Sequence, residues 1–143
     1  MDEKTVIRAH LYLDFDNETD TAFVKDQIGI LSADCIDKKS RRKSPFKDDN
    51  LPGSWSVVTE TIETYELEDV TKMLLEIINP YLDKIKNMLD SYDGKAVFLI
   101  VTEMVDNTPA LCFNREFLEV VEYLRAEIAI DMYAELVGVD YCH

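Results

Sequence analysis

Residues Lys95 to Thr102 read KAVFLIVT, an apolar run of strand length rich in β-branched side chains and followed by the turn-forming Asp106–Pro109. An amphipathic element alternates or repeats at helical spacing, and this run does neither. It predicts a strand covered on both faces, at the centre of a sheet. Working outward, the segment from Thr5 to Asp16, TVIRAHLYLDFD, sets Leu11, Leu13 and Phe15 against His10, Tyr12, Asp14 and Asp16. That two-residue period predicts a strand with one dry face. A third strand is expected from Trp55, Val57 and Val58 onward as far as Thr64, and a last one over Glu127–Ala134, where Ile128, Ile130 and Met132 alternate with Glu127, Ala129, Asp131 and Tyr133. Ala110–Phe113 is expected to form a short strand paired with the KAVFLIVT run.

Helical periods separate these strands. Leu67, Val70, Leu74, Ile77 and Ile78 recur every three or four residues, and Tyr81, Leu82, Ile85, Met88 and Leu89 resume the spacing after Pro80. Proline has no N–H to donate, so the sequence predicts one kinked helix or two consecutive ones. Asn17–Asp20 supply short side-chain oxygens to cap a helix over Thr19–Ile28 that Gly29 closes, and Asn114 caps a helix over Arg115–Arg125. Leu31–Gly53 holds no sustained period and reads as a surface loop. The predicted order is β-α-β-α(α)-β-β-α-β in one domain, an α+β fold of two layers with helices on one face of a largely antiparallel sheet.

Composition narrows the function classes. The chain of 143 residues carries 15 bases and 29 acids, a net charge of −14. Six of the bases, Lys38, Lys39, Arg41, Arg42, Lys43 and Lys47, fall in one loop, leaving nine against the 29 acids, or −20, for the remainder. An acidic body of this kind repels nucleic acid and attracts a basic protein. The basic run either contacts a phosphate, a nucleic acid or an acidic partner, or folds back over its own acidic body. The N-terminus shows no basic region followed by an apolar run, and no stretch approaches the roughly 18 apolar residues of a spanning helix. Cys35, Cys112 and Cys142 are odd in number and widely spaced, as expected of reduced thiols. The expectation is a cytoplasmic protein without a membrane association.

Several residues invite a chemical reading. Asp14, Asp16, Glu18 and Asp20 resemble a calcium loop, but the glycine and glutamate that an EF-hand needs are missing, so turn carboxylates are expected. Asp14 and Asp131 would share a proton if their strands were adjacent. With Tyr12, Trp55 and Tyr133 they make up a candidate binding pocket, while Trp55 alone equally suits a core anchor. His143 beside Cys142 lacks a second ligand pair at zinc-like spacing, and neither Cys35 nor Cys112 has an evident base nearby. No phosphate loop, nucleophile elbow or zinc-protease motif is present, so no catalytic residue, metal or cofactor is assigned.

Four segments carry a resemblance: Gly53-Ser54-Trp55-Ser56 leading into a strand, Ile78-Asn79-Pro80-Tyr81-Leu82, the KAVFLIV run, and Ala129-Ile130-Asp131-Met132-Tyr133. Together they resemble a DUF4279-like family, a bacterial domain of unknown function, over about Val6 to Tyr133. The resemblance implies a small intracellular bacterial protein, some such proteins being candidate immunity partners of toxins. It carries over no catalytic or binding residue, and the basic loop departs from the shorter polar connection such chains often have. The expected function is a non-enzymatic protein–protein interaction module, immunity- or inhibitor-like, working through its acidic surface as a monomer or homodimer. The alternatives are a small-ligand-binding or hydrolase-like domain with a pocket near Asp14, Trp55 and Asp131, and a mimic of nucleic-acid charge.

Overall fold

The computed structural model describes residues 4–16, 18–36 and 53–134. The chain runs β1 (Val6–Phe15), α1 (Thr21–Ile28), β2 (Asp34–Ile36), β3 (Gly53–Val58), β4 (Ile62–Glu63), α2 (Leu67–Ile78), a 3₁₀ turn (Asn79–Tyr81), α3 (Leu82–Ser91), β5 (Lys95–Met104), α4 (Arg115–Tyr123) and β6 (Glu127–Ala134). The strands form one sheet in the order β2-β3-β1-β5-β6, with β4 also paired to β1. Every pairing is antiparallel except β5 with β6, which α4 joins in parallel as a crossover. The α+β class and the helix-backed, mostly antiparallel sheet are those expected from the periodicities.

β1 shows why. Its residues alternate strictly, with Ile7, Ala9, Leu11, Leu13 and Phe15 buried while Val6, Arg8, His10, Tyr12 and Asp14 are only partly covered. The buried set joins Ala96, Phe98 and Ile100 of β5 and Val24, Leu67, Val70, Leu74, Ile85 and Phe117 of the helices in one apolar cluster. Helices therefore cover one face, and β1 rather than β5 is the middle strand. β5 is internal, and on the face away from the helices Val97 and Leu99 are half-buried while Val101 is buried.

The capping residues act as expected. Asp20 accepts from the N–H groups of Ala22 and Phe23, Asn114 accepts from Phe117 N–H, and Gly29 closes α1 at φ 87°. Pro80 divides α2 from α3 at the 3₁₀ turn.

Three expectations need correction. The strand expected to run from Trp55 to Thr64 is broken between β3 and β4, where Thr59 bonds both backbone groups of Ala9: its N–H donates to Ala9 O at 2.9 Å and its Oγ1 accepts from Ala9 N at 3.0 Å. Ala110–Phe113 is no strand beside β5. Ala110 makes a single parallel bridge to Glu66, and the flank of β5 that it was expected to fill belongs to β6. The segment read as loop from Leu31 contains the three-residue β2, which covers part of the edge of β3. The basic residues Lys38, Lys39, Arg41, Arg42, Lys43 and Lys47, together with Cys142 and His143, lie outside the described residues.

Candidate interaction site

The five residues of the candidate pocket do not converge. Trp55 is completely buried on the helix-covered face, opposite Leu13 and Cys35, whereas Tyr12 and Asp14 occupy the other face. Asp14 pairs in register with Lys95 and Asp131 with Val101, six residues further along β5 and on its far side. At about 3.3 Å per residue the two carboxylates are about 20 Å apart along the strand alone, which rules out a shared proton. Tyr133 projects from the edge strand β6 with 57% of its surface exposed.

The outer face of β1 instead holds a short polar chain that sequence reasoning missed. Arg8 Nε donates to His10 Nε2 at 3.1 Å, which leaves the imidazole proton on Nδ1, facing Tyr12 Oη at 3.3 Å. The His10 and Tyr12 rings stack at 5.3 Å and 15°, and Arg8 also meets Glu103 at 3.8 Å. Burial first, and the Arg8 charge second, lower the His10 pKa and favour the neutral ring. The only signal in the sequence was the i, i+2, i+4 spacing of Arg8, His10 and Tyr12 on one side of a strand.

A further concentration of polar side chains lies where β1 turns into α1. Asp16 Oδ1 accepts the N–H groups of Glu18 and Thr19, both at 3.0 Å, and the Thr19 hydroxyl at 2.9 Å. The Thr19 hydroxyl above all, then the Glu18 N–H, hold this carboxyl below its ordinary range, outweighing burial. Asp20 Oδ1 is fixed by Ala22 N–H at 3.0 Å and Phe23 N–H at 3.3 Å.

These residues line a pocket of about 450 Å³ with Glu18, Phe23 and Tyr92. Its aromatic wall is anchored: Tyr92 meets Phe23 edge-on at 6.3 Å and the buried Phe15 at 6.5 Å. Three carboxylates and two aromatic rings line it, and among the described residues no base does. Ionised oxygens supply charge-assisted acceptors, and an aromatic wall attracts a cation or covers its alkyl stem. Such a pocket suits a lysine or arginine side chain. The acidity extends beyond it, for acids outnumber bases 22 to nine among the described residues, with two ion pairs between them. Among the described residues no group of three or more His, Cys, Asp or Glu is placed to hold a metal ion, and no helix is long and apolar enough to cross a membrane.

Compared with known proteins, the sequence matches over residues 7–135 the family described as Domain of unknown function (DUF4279). No curated protein and no solved structure matches it.

Proposed function

The chain belongs to the DUF4279 family, whose description carries no activity, and from that premise we propose that it is a non-enzymatic interaction module that binds a basic protein, in the manner of an immunity protein or inhibitor. The observation that supports this reading is the pocket of Asp16, Glu18, Asp20, Phe23 and Tyr92, which no base lines among the described residues, where acids outnumber bases 22 to nine. Two of the three carboxylates are fixed before any partner arrives, so little rotamer freedom remains to be lost on binding. The surrounding field would speed association with a basic protein and make it sensitive to salt. Cys35 is half-buried and Cys112 exposed, both as free thiols, which suits a bacterial cytoplasm. A ligand or hydrolase reading would need Asp14 and Asp131 together, and their separation gives it no support.

The test is a comparative pull-down from native bacterial lysate at low salt. The bait is either the wild-type chain or Asp16→Asn/Glu18→Gln/Asp20→Asn, which removes three charges while leaving side chains that still cap. A basic protein retained by the wild type, released by salt and lost from the triple variant is the expected result. Equal recovery on both baits, or recovery of none, would overturn the reading.

A further inference from the structure

On the helical layer, two stripes face each other. Leu75 of α2, Asn79 of the 3₁₀ turn and Leu82 of α3 form one, and Glu116, Glu119, Val120 and Tyr123 of α4 the other. Both follow the three- and four-residue spacing that puts side chains on one side of a helix. Between them lies a groove of about 360 Å³. Leu75 and Val120 are nearly buried and make an apolar floor with Leu82.

Hydrogen bonds brace the helices around the groove. Tyr123 Oη donates to Asp83 Oδ1 at 2.8 Å, and Asn114 Nδ2 donates to Glu68 Oε1 at 3.3 Å, so α4 is tied to both α3 and α2. Glu116 and Glu119 flank the floor, and a base close to it, Lys86, lies 5.8 Å from the centroid of the Tyr123 ring and is already paired with Asp90 at 3.3 Å. An apolar floor between carboxylates complements an amphipathic helix with one apolar stripe bordered by lysine or arginine.

We propose that this groove receives such a basic amphipathic helix, supplied by the partner. An apolar side chain of that helix sits on Leu75, Leu82 and Val120, and its flanking cations meet Glu116, Glu119 and Asp83. This inference rests on the basic-partner reading and extends it to a second contact. α3 links the two sites: Leu82 opens the helix at the groove, and Tyr92, just past its end, lines the acidic pocket. Ten residues at about 1.5 Å each set them about 15 Å apart, within reach of one bound protein.

The experiment uses the full ¹⁵N-labelled chain and an 18-residue synthetic helix of leucine and lysine at amphipathic spacing, with a leucine–glutamate helix of the same pattern as control, at about 150 mM salt. Backbone shifts centred on Leu75, Leu82, Val120 and Tyr123 are expected with the lysine helix and not with its control. Glu116→Gln/Glu119→Gln should weaken binding about tenfold or more. Titrating Asp16→Asn/Glu18→Gln/Asp20→Asn alongside separates the two claims. Binding lost there and unchanged in the Glu116/Glu119 variant leaves the basic-partner reading standing and overturns the groove. The groove also falls if the glutamate helix binds as well or if shifts avoid it, and an absence of any binding overturns both claims.

Discussion

The ring of Phe15 occupies the space that a side chain on Gly94 would need: a Cβ there would lie 2.5 Å from Cε1 and 2.7 Å from Cδ1 of that ring. Phe15 is buried and bounded by Tyr92, so it has little room to yield. Gly94→Ala is expected to destabilise the fold by about 1–3 kcal/mol, the usual cost of overpacking. Urea denaturation measures this, and an unchanged midpoint would contradict the packing.

Trp55 is the chain's one tryptophan, and it reports its own surroundings. Burial on the helix-covered face predicts emission well to the blue of the unfolded chain and protected from acrylamide. Emission should not move when a basic peptide fills the acidic pocket. Red-shifted, readily quenched emission would place the indole at the surface instead.

Thr59 supplies the hydroxyl that accepts Ala9 N–H where β3 gives way to β4. Thr59→Val keeps the shape and removes the acceptor, leaving a buried N–H without a partner. A loss of about 1–3 kcal/mol is expected in urea or thermal unfolding. Protection of the Ala9 amide against hydrogen exchange should fall with it.

Asp106 gathers the Tyr65 hydroxyl on one oxygen and, on the other, the Thr5 N–H and hydroxyl and the Asn107 N–H. Tyr65 chiefly, with the backbone donors, lowers its pKa to about 2, and Asp106 in turn raises that of Tyr65. A depressed carboxyl contributes its stabilisation fully above the ordinary aspartate value and loses it as pH falls through about 2. Carboxyl ¹³C shifts should show Asp106 titrating below its neighbours, and Tyr65→Phe should raise it. Titration alongside ordinary aspartates in the wild type would refute the arrangement.

His10 has the same sign for a different reason. Its folded pKa is lowered, so the unfolded chain takes up the proton first as pH drops. The stabilisation is complete above about pH 6.5 and declines as pH falls through the folded value. Urea midpoints between pH 7.5 and 5.5 should fall more in the wild type than in His10→Gln. Equal slopes would show that burial and the Arg8 charge do not lower the pKa of this ring.

Local periodicity made most of the fold legible. The alternation of β1 and the stripes of α2, α3 and α4 are written over ten or so consecutive residues, and so are the caps at Asp20, Asn114 and Gly29. What failed depended on distant partners. Ala110 has strand-like neighbours, but Asp106 and Asn107 are held by Thr5, which draws the segment toward Glu66. β2 is three residues long, too short to show a period. The Asp14–Asp131 pair failed because register, which no single segment carries, sets them at different levels of β5. Half of the acidic pocket was visible as a run of carboxylates, while its aromatic wall needed Tyr92, far along the chain.

The middle position of β1 bears on how the protein is made. Its register with β5 joins Val6 to Glu103 and Asp14 to Lys95, so β1 waits for a strand translated about eighty residues later. Closing so wide a span slows folding, and until then one flank of β1 is an open template for other chains. A chain cut short before Lys95 should therefore aggregate rather than persist as a smaller folded unit.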